Sequence, residues 1–261
     1  MQLAIALGKG FLFFLWCLAM VPPQVAVMMF TRGPAAYTLP WLWQRGICRI
    51  FGIKVLIEGT PLTSRQTLFV ANHVSYLDIP VIGCVLKASF IPKKEVGGWR
   101  VFGTLSRLQQ TAFISRARGD AQKEKNALSN MIAEGKSLIL FPEGTSTDGR
   151  DVVPFKSSLF SLTLDDGQRA LMIQPVTLRV ETVDGRSPED QSARDLYAWY
   201  GDMTMPPHLK AFAGSKGAVI RLIFHEPIDP HGYADRKTLA DACCAAVRSG
   251  IAPPVSRELA G

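Results

Sequence analysis

Hydrophobic residues fall along this chain in two patterns. The first is a long unbroken run. From Gly10 to Thr31, GFLFFLWCLAMVPPQVAVMMFT carries no charge, with Lys9 before it and Arg32 after it. About 20 such residues can cross a bilayer. Pro22 and Pro23 interrupt the run, and an internal proline lacks an N–H and clashes with the preceding turn. The pattern therefore predicts two shorter apolar helices with a kink or reversal between them, dipping into one leaflet or lying at the interface. Trp16, Trp41 and Trp43, with Arg32, Arg45 and Arg49, suit the headgroup layer. A cleaved signal peptide fits less well, because no small-x-small cleavage site follows. A single kinked span and a buried core helix also compete, although residues 11–20 have no polar face.

The second pattern is a series of short apolar segments bounded by turn residues. Segments 54–59, 67–72, 89–93, 111–115, 137–142, 172–178 and 219–225 read as strands. Helical spacing appears over 41–51, 77–86, 99–108, 120–134 and 233–249. Residues 181–198 are polar, contain Gly and Pro, and read as a surface insertion. Strands alternating with helices predict a single α/β domain with a central mixed, largely parallel sheet flanked by helices. The division expected is a membrane-anchoring segment over 1–50 and an α/β domain over 51–261.

Composition changes this picture little. At 261 residues the chain is long enough for a substantial core. The hydrophobic share of 48% and mean hydropathy of +0.14 owe their excess mainly to the N-terminal run. A net charge of +7 and a pI near 9.3 suit anionic lipid or an acidic protein partner. Nucleic-acid binding finds only scattered Lys and Arg and no recognition signature. Cys17, Cys48, Cys84, Cys243 and Cys244 are irregularly spaced, without a CxxC pair or zinc pattern, and read as reduced apolar residues. No metal is expected.

The densest cluster of chemistry is VANHVSYLDIP, which holds Asn72, His73, Ser75 and Asp78. Two readings of Asp78 compete. Ser75-x-x-Asp78 is a capping-box pattern at the start of a helix. Alternatively, Asp78 fixes the tautomer of His73 and frees its other ring nitrogen as a base. Were both residues helical, their side chains would point about 140° apart. A strand ending near Asn72 and a helix starting near Leu77 can bring them together, where open α/β sheets place ligand sites. No GxSxG nucleophile is present, so a base here would act on a substrate hydroxyl directly.

Two further clusters follow. LILFPEGTS ends a strand in Glu143, Gly144 and Thr145; Gly144 allows close backbone approach and Thr145 adds a hydroxyl. In TAFISRARG, Arg116 and Arg118 follow another strand, and an Arg fork matches phosphate. Alone, the first is an ordinary turn and the second a solvated basic loop.

Together, in this order, the motifs resemble those of the lysophospholipid acyltransferase family, of the bacterial 1-acyl-sn-glycerol-3-phosphate acyltransferase type. NHxxxxD is matched by Asn72, His73 and Asp78, and FPEGT by residues 141–145. Phe113, Ile114 and Arg116 match the second motif, with Gln110 in place of its leading Gly and Ser115 in place of an acidic residue. Pro175 matches the fourth motif, Lys93-Lys94-Glu95 a Lys-Lys-Glu stretch, and Phe155-Lys156-Ser157-Ser158 an FKxG stretch with Ser for Gly. The resemblance covers about residues 68–178.

It implies transfer of a fatty acyl group from acyl carrier protein or coenzyme A to the sn-2 hydroxyl of 1-acyl-glycerol-3-phosphate, giving phosphatidic acid. His73 would be the general base and Asp78 its catalytic partner. Arg116, Lys93, Glu143, Gly144 and Thr145 would contact the acceptor, and Asn72 would bind substrate as a candidate donor to the oxyanion. No cofactor is implied beyond the thioester co-substrate. The implied location is the cytoplasmic face of the inner membrane. Alternatives are O-acylation of a lyso-ornithine lipid, which has no phosphate, and thioester hydrolysis with His73 activating water.

Overall fold

The computed structural model describes residues 1–31, 34–91, 130–164 and 171–251. A six-stranded sheet runs in the order β1 (Ile53–Glu58), β6 (Ala218–Phe224), β5 (Met172–Val183), β2 (Thr67–Ala71), β4 (Leu138–Leu140) and β3 (Ser89–Phe90). Among these six strands β5 and β6 pair antiparallel, and the other strand pairings are parallel. The α-helices described from end to end are α1 (Gln2–Phe30), α2 (Thr38–Phe51), α3 (Asp78–Gly83), α4 (Gln191–Tyr197), α5 (Met205–Ala213) and α6 (Arg236–Ser249). The expected α/β architecture is therefore observed. The strand expected over 111–115 and the helix over 99–108 lie outside the described residues. So does most of the helix over 120–134, of which residues 130–133 are helical.

Period-two alternation explains how β2 anchors the core. All five of its residues are buried. Phe69 and Ala71 point to one face, where they join Ile47, Cys48 and Phe51 of α2, Val81 and Ile82 of α3, and Phe212 of α5. Leu68 and Val70 point to the other, onto Leu239, Cys243 and Val247 of α6. Covering helices on both faces are what a mainly parallel sheet requires. Pro175 lies inside β5 without breaking the ladder. Its carbonyl accepts from the His225 N–H, just past the end of β6, and the His225 carbonyl accepts from Gln174 Nε2 at 2.9 Å, so the missing N–H leaves that carbonyl satisfied.

Two expectations are corrected. The N-terminal run is one continuous helix through Pro22 and Pro23, not two. It is pinned sideways on both sides of the prolines. Trp16 Nε1 donates to the Trp43 carbonyl at 3.1 Å, and Gln24 Nε2 to that of Ala36 at 3.3 Å. Lys9 Nζ donates to the carbonyls of Phe51 (3.1 Å) and Ser215 (2.8 Å), at the C-terminal ends of α2 and α5, where helices favour a cation. Gly46 lets Trp16 approach; a Cβ there would lie 2.2 Å from the indole. The second correction concerns residues 181–198. They are not a surface insertion: β5 runs on to Val183, and α4 buries Ala193 and Tyr197 completely in the core.

Candidate active site

The site forms where β2 and β4 end. β2 stops at Ala71, and the chain turns through His73 into α3, whose first residue is Asp78. Asp78 Oδ2 lies 2.8 Å from His73 Nδ1 and also accepts from the N–H groups of Val74 (2.7 Å) and Ser75 (2.9 Å). Asp78 Oδ1 accepts from the Tyr197 hydroxyl at 3.0 Å. Both readings of Asp78 thus hold in one carboxylate. The bond from the Ser75 N–H is half of a capping box, and the bond to Nδ1 sets the imidazole. A carboxylate with this many donors is acceptor-only, so Nδ1 carries the proton and Nε2 keeps its lone pair. Asp78 is fully buried, while the His73 side chain retains 21% exposure.

The turn after β4 supports the same histidine. The Phe141 ring stacks on the imidazole, with centroids 4.2 Å apart and planes at 15°. Glu143 is buried. Its Oε1 accepts from the His73 backbone N–H at 2.6 Å and its Oε2 from that of Val153 at 2.8 Å. Burial pushes this carboxyl up to about 7; the N–H bonds and the nearby imidazole pull it back only in part. Gly144 adopts φ +74°, the left-handed region that suits glycine, so the chain reverses and leaves Thr145 exposed. The His73 carbonyl accepts from the Thr147 N–H at 2.9 Å, and the Val74 carbonyl from that of Trp199 at 2.9 Å. The histidine loop is thereby tied to two further segments.

The predicted residues therefore divide. His73, Asp78 and Glu143 come together, with Gly144 and Thr145 on the adjoining turn. Glu143 braces the backbone of His73; both its oxygens are engaged by N–H groups rather than turned to an acceptor. Asn72 faces away from the histidine. Its Nδ2 donates to the Leu178 carbonyl (2.9 Å) and its Oδ1 accepts from the Leu178 N–H (2.7 Å), so the side chain bridges β2 to β5. Lys93 and Arg116 lie outside the described residues. Sequence reasoning passed over the Phe141 stack, which the aromatic of FPEGT could have suggested. It also passed over Tyr197, for which no local signal exists. Among the described residues no cluster of His, Cys, Asp or Glu could hold a metal ion.

The family model described as Acyltransferase matches residues 54–179. The chain is 36% identical to the lyso-ornithine lipid O-acyltransferase of Rhodobacter capsulatus, over 78% of this chain and 74% of the relative. It is 32% identical to the 1-acyl-sn-glycerol-3-phosphate acyltransferase of Neisseria meningitidis serogroup B, over 80% of this chain and 78% of the relative. The crystal structure of the 1-acyl-sn-glycerophosphate acyltransferase PlsC from Thermotoga maritima shares the fold, with a TM-score of 0.68 at 20% identity, covering 95% of this chain and 94% of that one. This chain belongs to the lysophospholipid acyltransferase family.

Proposed function

We propose that this protein transfers an acyl group from an acyl thioester to the hydroxyl of a membrane lyso-lipid, with His73 as the general base. The carrying observation is the 2.8 Å bond between His73 Nδ1 and buried Asp78, made by a ring that keeps an exposed edge. Nε2 takes the hydroxyl proton as the oxygen attacks the thioester carbonyl. Asp78 stabilises the imidazolium so formed. As the tetrahedral intermediate collapses, the C–S bond breaks and the imidazolium returns the proton to the thiolate, leaving an ester and a free thiol. Backbone N–H groups serve the oxyanion.

For the acceptor we take lyso-ornithine lipid, the substrate in the name of the Rhodobacter capsulatus relative. The departures from the family pattern at Gln110, Ser115 and Ser158 support this choice. Lysophosphatidate is the second reading, favoured by Arg116 and Lys93, whose charges suit a phosphate. Thr145, exposed on the turn beside the histidine, is assigned to the acceptor headgroup.

We place the site at the surface of a membrane, and the cytoplasmic face of the inner membrane fits a thioester carried by acyl carrier protein or coenzyme A. The 29 residues of α1, about 43 Å long, are long and apolar enough to cross a bilayer. Yet α1 rests on α2, α5 and the turn before α2 over much of its length, from Lys9 to Gln24. A perpendicular span would draw those helices into the hydrocarbon. Its free face, including Leu7, Phe11, Phe14, Leu18, Val25 and Met29, is exposed and apolar. An in-plane α1 with that face in one leaflet satisfies both.

The test is acyl transfer by protein in lipid vesicles, with labelled acyl thioester and lyso-ornithine lipid, lysophosphatidate or no acceptor. Faster transfer to lyso-ornithine lipid is expected. The reverse order establishes the second reading, and equal thioester loss without acceptor would mean a hydrolase.

A further inference from the structure

We propose that Tyr197 is a positioning residue of this site: its hydroxyl holds the Asp78 carboxylate in the orientation and charge state that His73 requires. The inference rests on the reading of His73 as the base.

Tyr197 ends α4 and is fully buried. Its hydroxyl donates to Asp78 Oδ1 at 3.0 Å. The bonds from His73 Nδ1, Val74 and Ser75 all fall on Oδ2, so among the described residues Tyr197 is the partner of Oδ1. The ring sits in the core, packed edge-on against Phe212 at 6.0 Å and 76°. A phenylalanine would fill that space equally well, and a buried hydroxyl costs stability unless it is bonded. The oxygen is therefore explained by the carboxylate it meets. α4 is in turn fixed to the histidine loop through the Trp199 N–H bond to the Val74 carbonyl.

Two consequences follow. The bond to Oδ1 fixes the carboxylate plane, and with it the aim of Oδ2 at Nδ1. It also shares the charge that the carboxylate turns toward the imidazole. Without the hydroxyl that charge faces His73 unshared and holds the imidazolium more firmly, which moves the acid limb of the pH–rate profile to higher pH. Among the described residues, the other ionisable groups facing this cluster are Glu143 beside His73, and Tyr76 and Cys48 near Tyr197; His208 bonds to Tyr76.

The experiment compares Tyr197→Phe, His73→Ala and the parent enzyme in the vesicle assay. For Tyr197→Phe we expect kcat to fall about tenfold, a fraction of the ~10²–10⁴ that a general base contributes. KM for thioester and lyso-lipid should be unchanged, and the acid limb should rise in pH. Unchanged kcat and an unmoved limb, with at most a lower unfolding temperature, would reduce the hydroxyl to a structural role. An inactive His73→Ala beside a fully active Tyr197→Phe overturns the Tyr197 assignment alone. An active His73→Ala overturns the base itself. Should Tyr197→Phe fail to fold, 3-fluorotyrosine at position 197 keeps the hydroxyl and strengthens it as a donor. The acid limb should then move to lower pH, and an unmoved limb contradicts the proposal.

Discussion

At the scale of single residues, Glu143 shows how the site is braced. Its carboxyl titrates near 7 in the folded protein against an ordinary value of 4.5. Between those values the folded state holds a proton that the unfolded chain has lost. Stability therefore declines as pH rises through that window. Glu143→Gln removes this term, so its unfolding temperature should vary less with pH from about 4.5 to 7 than that of the parent; parallel profiles would contradict the assignment. The substitution also turns an NH₂ toward the N–H of His73 or Val153, so activity should fall even where the protein stays folded. His73 and Asp78 were legible in sequence because strand, turn and helix start lie within one short stretch. The inward turn of Glu143 was not. FPEGT carries no sign of which way its carboxylate points, and the answer depends on the N–H groups of His73 and Val153, far apart in sequence. Tyr197 was hidden for the same reason, with a polar surrounding sequence that disguised a buried helix end.

At the scale of elements, Asn72 couples two strands. β2 pairs with β5 as far as Ala71 and Val176, and the Asn72 amide carries the pairing on to Leu178 through two bonds. Removing it strands a buried N–H and a buried C=O, each costing about 1–3 kcal/mol. Asn72→Ala should therefore lower the urea midpoint markedly. Lost activity at full stability would instead return Asn72 to the substrate. The strands were legible because their apolar runs are short and bounded by turn residues, and β1, β2, β4 and β6 fall within a residue or two of expectation. β5 runs longer because its pairing with β6 extends past the apolar stretch to Val183, a tertiary contact that local hydropathy does not encode. The continuity of α1 was missed for a related reason. Pro22 and Pro23 argue for a break when the helix is considered alone, but Trp16 and Gln24 fasten both halves to the same surface.

At the scale of the whole molecule, the fold joins a two-faced core to an apolar helix lying along its side. An in-plane α1 makes a depth prediction. Nitroxide labels at Leu7, Leu18 and Met29, all on the exposed face, should report similar shallow depths in vesicles. A monotonic gradient from one headgroup layer to the other would mean that α1 spans. The central claim, that His73 is the base for acyl transfer, is tested most directly by His73→Ala in the vesicle assay with labelled acyl thioester and lyso-lipid. The account predicts a loss of roughly 10²–10⁴-fold in kcat with the circular dichroism of the parent, the share a general base supplies. A folded His73→Ala enzyme that keeps more than about a tenth of the parent rate would contradict it.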